Sequence, residues 1–420
     1  LEENVVTPTD QFTCTGHYRG EGFTQEIACH KLVGHGTVTF ARGLQQSCNP
    51  TMMQLVERIG RSTFYKYFKA FGYTGRTGID LPGEAYGMFH QEEAMHATEL
   101  AVYSFGQTFK CTPLQQLTAI CAVANGGYLV TPHVLKEMVD DDGNVIYSYE
   151  AEKKLQILSE ETCKTVSSIL AEGVATDGGA KNAYVKGYSI AGKTGTSQKQ
   201  DKYLAVAWDE EGNPTEWERP YRVGSTMGYA PADDPQIAVL IMVDEPTEGN
   251  SYGSVVAAPY IAKFLEAALP YLGIDPVYTE EELAKVDVGL PTLVGLDYDQ
   301  ACLVLANRKL TFKKVGNGTK VVAQSPEIGS RLLTESGVVY LYTGDRLPEE
   351  EIEITDLMGM TALAANRLII NSHLNIKIEG ATNYANSNGA VVVAQSPEAG
   401  TMVPRGTIVT VEFRHMDGTD

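Results

Sequence analysis

The residues of this chain best suited to chemistry on a peptide are Lys193-Thr194-Gly195-Thr196-Ser197. On one strand they offer an anionic peptide end a fixed ammonium and two hydroxyls, and the glycine lets a ligand approach backbone N–H groups closely. Those are the requirements of acyl transfer on a peptide that ends in a carboxylate. A triplet as short as Lys-Thr-Gly also arises by chance, so its weight depends on company. Ser47-Cys48-Asn49 provides it, with a hydroxyl and a carboxamide two positions apart.

The flanking pattern predicts how these groups are held. A strand-like run, Tyr188-Ser189-Ile190-Ala191, leads into Gly192 and Lys193. Two apolar runs, Val223 to Ala230 and Gln236 to Val243, extend an antiparallel sheet with Lys193 on its edge strand. Thr39 to Gln46 reads as a short helix that delivers Ser47-Cys48-Asn49 at its end, and Pro50 restarts helical pattern through Met52, Leu55, Val56 and Ile59. At such a junction Ser47 and Asn49 both point into a cleft. Residues 13–30 read as a two-stranded excursion with Gly16, Gly20 and Gly22 at its turns. Arg61 to Phe71 is helical, with Phe64, Tyr67, Phe68 and Phe71 as a core stripe. Further helices are Leu114 to Ala124, entered at Thr112-Pro113, Ser159 to about Val174, capped by Ser159, and Ala257 to Leu272, with Ile261, Phe264, Leu265 and Ala268 on one face. The stretch from Gln198 to Arg222 reads as a long loop carrying Trp208 and Trp217.

Composition narrows the class. The 420 residues suffice for two or three domains, and an apolar fraction of 43% is that of a globular protein with a sizeable core. With 33 Lys and Arg against 53 Asp and Glu, the net charge of −20 disfavours nucleic acid and anionic lipid as partners. No apolar run approaches the ~18 residues of a membrane span. Seven cysteines are too few for a disulfide scaffold, although Cys14, Cys29 and Cys48 crowd the amino-terminal end. No metal and no cofactor are expected: Cys14, Cys29, His30 and His35 show no repeating ligand spacing, and His35 between two glycines reads as part of a local turn.

Several longer phrases accompany the two short motifs. They are Leu44-Gln45-Gln46 before Ser47, Thr77-Gly78-Ile79-Asp80-Leu81-Pro82-Gly83-Glu84, Gly106-Gln107, Thr112-Pro113-Leu114-Gln115, Asn125-Gly126-Gly127 and Gly228-Tyr229-Ala230-Pro231. Jointly they resemble the class B penicillin-binding proteins. The resemblance implies an α+β fold over residues 1–274, the transpeptidase domain related to serine β-lactamases, with helices packed around an antiparallel sheet. It implies D,D-transpeptidation of peptidoglycan stem peptides through a serine acyl-enzyme, with β-lactam antibiotics as mimics of the acyl donor. Carried over by motif, Ser47 relays a proton, Asn49 holds the substrate amide, and Lys193 supplies positive potential. Thr194 and Thr196 meet the terminal carboxylate beside Gly195 and Ser197, and the Thr196 N–H forms half of an oxyanion hole.

One family element is missing. The nucleophile and its base belong to Ser-x-x-Lys, and no serine here has lysine three positions on. The chain opens on Leu1-Glu2-Glu3, a phrase that in the family comes after the nucleophile helix. The expectation is therefore a fragment cut shortly after the catalytic serine, not itself acylated. The intact protein is expected at the extracytoplasmic face of the membrane, anchored by an amino-terminal helix and accompanied by a membrane glycan polymerase. An oxidising setting of that kind permits a Cys29–Cys48 disulfide beside the motif. The competing reading is a non-catalytic wall-binding protein with a degenerate transpeptidase fold.

Beyond residue 274 the composition changes. Residues 275–288 form an acidic connector. Val321-Val322-Ala323-Gln324-Ser325-Pro326-Glu327 then returns as Val392-Val393-Ala394-Gln395-Ser396-Pro397-Glu398, and Leu293-Val294-Gly295 is matched by Leu357-Met358-Gly359. The two offsets differ, which an inserted loop around Asn383 to Gly389 explains. The units at 289–346 and 347–416 resemble PASTA modules: small, α+β, strung like beads, and expected to touch wall peptide or a partner. Together with Ser-Cys-Asn and the neighbourhood of Cys29, they resemble most the sporulation-type (stage V) or division-type branch in Gram-positive bacteria.

Overall fold

The computed structural model describes residues 1–150, 153–199, 202, 204–209, 214–218, 221–247, 250–274, 276–277, 287–334, 337–345, 351–380 and 389–416. Most of the acidic connector and of the inserted loop at 383–389 lies outside them. The chain divides into two compact units, Leu1–Ala183 with Ser189–Ala268, and Tyr184–Tyr188 with Leu269–Asp417.

The first unit opens with β1 (Gln11–Cys14), β2 (His17–Tyr18), β3 (Ile27–Ala28) and β4 (Gly36–Thr39), which form two antiparallel ladders, β1 with β4 and β2 with β3. Then come α1 (Phe40–Gln45), α2 (Asn49–Ile59), α3 (Arg61–Ala70), α4 (Ala97–Ser104) and α5 (Pro113–Ala124). Thr39 caps α1 by accepting from the Arg42 N–H. Thr112 and Gln115 close a reciprocal capping box at α5, with Pro113 in the first turn, where no N–H is needed. Next are two hairpin-like pairs, β5 (Tyr128–Val130) with β8 (Lys153–Gln156), enclosing β6 (Glu137–Val139) with β7 (Val145–Ser148). The long helix α6 (Glu160–Ala175) is capped by the Ser159 hydroxyl.

The sheet that carries the Lys-Thr-Gly motif is built from β9 (Ala191–Gln198), β12 (Arg222–Ala230) and β13 (Ile237–Asp244), all antiparallel, with β9 on the edge. Between β9 and β12, in place of a loop, the described residues form a hairpin of β10 (Leu204–Trp208) and β11 (Pro214–Glu218). The run Leu204-Ala205-Val206-Ala207-Trp208 has enough apolar and β-branched character to pair. The short helix α7 (Gly253–Val256) and α8 (Ala258–Tyr271) complete this part.

Two helix faces differ from expectation. In α8, Ile261, Leu265 and Leu269 are buried, whereas Phe264 is 44% exposed. In α3, Phe68 is buried against Tyr73, Phe89, Tyr103 and Phe109. Tyr67 instead sends its hydroxyl to Glu3 at 2.7 Å. A phenol can leave the core because its polar tip finds a carboxylate.

The second unit repeats one pattern. It runs β14 (Asp287–Gly289), α9 (Tyr298–Ala306), β15 (Thr311–Val315), β16 (Val321–Ser325), β17 (Arg331–Leu333), β18 (Val338–Thr343), then β19 (Glu351–Glu353), α10 (Ala362–Asn371), β20 (Asn375–Gly380), β21 (Ala390–Ser396), β22 (Met402–Pro404) and β23 (Ile408–His415). In each repeat the last strand is central, parallel to the strand after the helix and antiparallel to the next. The glutamine common to both repeats has a structural task. Gln324 Oε1 accepts from the Leu293 N–H at 2.7 Å, and Gln395 Oε1 accepts from the Leu357 N–H at the same distance. The repeats are not independent beads: buried Asn375 pairs with both backbone groups of Val338 in the first repeat.

Candidate functional site

Ser47 is the hinge of the site. It has φ +51° and lies between α1 and α2, where its N–H still reaches the Leu44 carbonyl at 3.2 Å. A non-glycine residue in the left-handed region costs energy, and such strain collects where a side chain must be aimed. Here the side chain meets Lys193, whose ammonium donates to Ser47 Oγ and, at 2.9 Å, to the Thr194 carbonyl. Because Oγ accepts from the ammonium, the serine's own proton is left to be given away. The junction itself is anchored. Buried Gln45 donates to the Ile169 carbonyl at 3.1 Å and to Glu172 at 2.9 Å, tying α1 to α6. Asn49 opens α2 and donates through Nδ2 to the Ala28 carbonyl at 3.1 Å, leaving its second N–H and its Oδ1 for an amide.

Lys193 stands opposite Met227 in the ladder with β12, and Gln116 of α5 donates to the Met227 sulfur at 3.3 Å. Farther along the edge, Gln107 donates to the Thr196 carbonyl at 3.3 Å. In an antiparallel strand the N–H and C=O of one residue point to the same side, so the Thr196 N–H also faces outward from the sheet, as an oxyanion donor must. The Thr196 hydroxyl accepts from the Gly253 N–H at 3.2 Å, which turns its own proton toward a ligand. Thr194 differs from the expectation that both threonines face a carboxylate. It is 6% exposed, and its hydroxyl is buried without a hydrogen-bond partner among the described residues. Strand alternation places it on the face opposite Lys193, against Thr226. Ser197 is exposed at the end of the motif.

Gly253 has no sequence signal. A Cβ there would lie 2.0 Å from the Ser225 carbonyl oxygen and 2.6 Å from that of Gly195, so α7 can close on the sheet only with glycine at this point.

Behind the Ser-Cys-Asn motif lies a second constellation. Cys48 turns away from Ser47 and Asn49 into a buried cluster with Cys14 and Cys29. The structure thus brings Cys29 and Cys48 together, but as free thiols, so the expected bridge is replaced by a wider group that includes Cys14 and His35. His35 also departs from the reading as an incidental turn residue. Its Nδ1 lies 3.6 Å from both Cys14 Sγ and Cys29 Sγ. A hydrogen bond from Cys48 holds the Cys29 thiol well below the ordinary range, and the same contact together with burial pushes Cys48 up. No spacing rule finds this group, because its members come from β1, the ends of β3 and β4, and the α1–α2 junction.

Among the described residues no helix is long and apolar enough to cross a membrane. Comparison with known proteins bears on this architecture directly. The family described as penicillin binding protein transpeptidase domain matches residues 1–266, and the PASTA domain matches residues 288–345 and 352–414. Stage V sporulation protein D of Bacillus subtilis is 36% identical over 355 residues, which cover 82% of this chain and 52% of that protein. The chain therefore spans about half the length of this relative. The crystal structure of penicillin binding protein 3 from Mycobacterium tuberculosis, complexed with ampicillin, superposes with a TM-score of 0.57 at 26% identity, covering 66% of this chain and 60% of that one. Penicillin binding protein 2X from Streptococcus thermophilus covers 98% of this chain and 58% of its own, with a TM-score of 0.54 at 19% identity, a likeness of fold alone. By the match over most of its first unit and the two repeats beyond it, the chain belongs to the penicillin-binding protein transpeptidase family and carries PASTA domains at its carboxyl-terminal end.

Proposed function

We propose that the protein acts as a peptidoglycan D,D-transpeptidase, with residues 1–274 supplying the proton-relay and substrate-holding side of the site. The observation that carries this reading is the contact between Lys193 and Ser47, 146 positions apart in sequence, on an edge strand whose Thr196 N–H faces outward. An acyl donor ending in D-Ala lies along β9. Its carboxylate takes the Thr196 hydroxyl and the field of Lys193, and its amide takes Asn49. The carbonyl under attack points its oxygen at the Thr196 N–H, a type of donor worth about 3 kcal/mol in the transition state. The proton needed by the departing D-Ala amine passes through Ser47, recharged by Lys193. The family's nucleophile is a serine with lysine three residues on. No such pair occurs in this sequence. An ampicillin complex of a protein with this fold supports β-lactams as ligands. The sporulation relative supports a role in sporulation.

The test is covalent labelling by a fluorescent penicillin, using the full gene product together with its Ser47→Ala and Lys193→Ala variants. Labelling of the parent is expected, with both variants slowed roughly 10²- to 10⁴-fold, the usual weight of general acid–base assistance. A folded parent that stays unlabelled yet retains muropeptide refutes the enzyme and leaves a wall-binding protein.

A further inference from the structure

We infer that Cys14, Cys29, His35 and Cys48 are the four ligands of a tetrahedral zinc site set directly behind the Ser-Cys-Asn motif. The ligand atoms of all four lie within 4.8 Å of one another. The finer distances match the metal. Zinc bonds of about 2.3 Å to sulfur and about 2.05 Å to nitrogen place two such ligands of one tetrahedron about 3.6 Å apart. Both sulfur-to-Nδ1 distances to His35 are 3.6 Å. Three thiolates and one imidazole form a closed, soft donor set, which selects zinc(II) over the hard cations magnesium and calcium.

The surroundings are built for this group rather than for apolar packing. Cys14, Cys29 and Cys48 are 1%, 2% and 0% exposed and form a cluster of their own, without an aliphatic neighbour in it. Glycines let the two ligand-bearing turns interlock. A Cβ on Gly34 would lie 2.3 Å from the Cys14 carbonyl oxygen, and one on Gly16 would lie 1.8 Å from that of Leu32, so neither turn tolerates a side chain there. The Cys29 N–H donates to the Gly16 carbonyl at 2.8 Å, and Cys14 pairs with Gly36 in the β1–β4 ladder. His30 stands outside the set. Its ring packs edge-on against that of His35 with centroids 5.2 Å apart, which fixes the imidazole plane. Bound there, a divalent ion would offset the charge of the three thiolates that ligate it, in a site otherwise shut off from water.

The experiment is zinc(II) titration of the chain purified under reductant, with native mass spectrometry and competition against a chromophoric chelator. Cobalt(II) substitution and thermal melts accompany it. One tightly held zinc per chain is expected. Cobalt should show sulfur-to-metal charge transfer with the intense visible bands of tetrahedral coordination, and the midpoint of unfolding should fall on chelation. Cys14→Ser and His35→Ala should lose stoichiometric binding, while Cys302→Ser, in the second unit, keeps it. These readouts do not depend on acylation, so the zinc site and the transpeptidase can fail separately. Three outcomes overturn the inference: a reduced, folded chain that retains no zinc, His35→Ala binding zinc as the parent does, or cysteines recovered as a Cys29–Cys48 disulfide that never exchanges for metal under reductant. If the variants do not fold, the parent's stoichiometry and cobalt spectrum decide alone.

Discussion

Replacing Tyr229 by phenylalanine removes a single oxygen from the interior of the first unit, and the burial of its partner sets the cost. Tyr229 lies on β12 opposite Ala191, the first residue of the Lys-Thr-Gly strand, and is fully buried. Its hydroxyl shares a hydrogen bond of 2.7 Å with Ser167 of α6, itself 7% exposed. Neither group reaches water, so Tyr229→Phe strands the serine hydroxyl and Ser167→Ala strands the phenol. Each orphan costs about 1–3 kcal/mol, whereas removing both partners is close to neutral. For a unit of this size that range is a fall of roughly 2–12 °C in the unfolding midpoint for either single variant. The double variant should recover most of it. Burial, the largest cause, pushes the Tyr229 phenol up to about 12. A folded value above the unfolded one means its stability is intact below about pH 10 and declines as pH rises toward the folded value. Tyr229→Phe should remove that alkaline decline. Urea unfolding of the four members of the cycle across pH measures both effects. Two single losses that simply add in the double variant, or singles indistinguishable from the parent, would refute the claim that this pair locks α6 to the sheet.

Gly253→Ala should be among the most damaging small changes in the chain. Its Cβ meets backbone oxygens of both β9 and β12, which cannot yield as a side chain can, so a loss of about 3 kcal/mol or more is expected in urea unfolding, together with loss of penicillin labelling. A second prediction concerns acid. The Glu2 carboxylate accepts from the Ser159 hydroxyl and N–H at the start of α6, and hydrogen bonds, that with Thr162 foremost, hold it below its ordinary value of 4.5. A depressed carboxylate stabilises the fold above its unfolded value and loses that contribution as pH falls through the folded one. Unfolding midpoints taken from about pH 6 down to about pH 2.5 should therefore drop less steeply in Glu2→Gln than in the parent, the curves parting below about pH 5; parallel curves would dismiss the interaction.

What the sequence made legible was what local physics determines. Thr112-Pro113 and Ser159 open their helices as their side chains require, and the two apolar runs, Val223 to Ala230 and Gln236 to Val243, set out two of the three sheet strands. The Lys193 strand lies on the edge because, among the described residues, no strand pairs beyond it in the three-strand order. Where sequence and structure part, a distant partner decides. Tyr67 lies on a helical stripe yet leaves the core for Glu3, Thr194 alternates inward beneath the motif it belongs to, and Trp208 sits in a hairpin that only pairing with β11 reveals.

The cysteines show the limit most clearly. Along the chain, Cys14, Cys29, His35 and Cys48 have no common spacing, and Cys48 is merely the middle of Ser-Cys-Asn. Folding supplies the reason for a cysteine at that place. The positive φ of Ser47 turns its hydroxyl toward Lys193, and the extended conformation of Cys48, at φ −69° and ψ 107°, sends the next side chain the other way, into the sulfur cluster. Asn49 then turns back as α2 begins. One three-residue junction thus serves two sites on opposite sides of the backbone. Whatever fixes the sulfur of Cys48 also limits how far Ser47 and Asn49 can move relative to β9, since a residue held in the left-handed region persists only when its neighbours are over-determined.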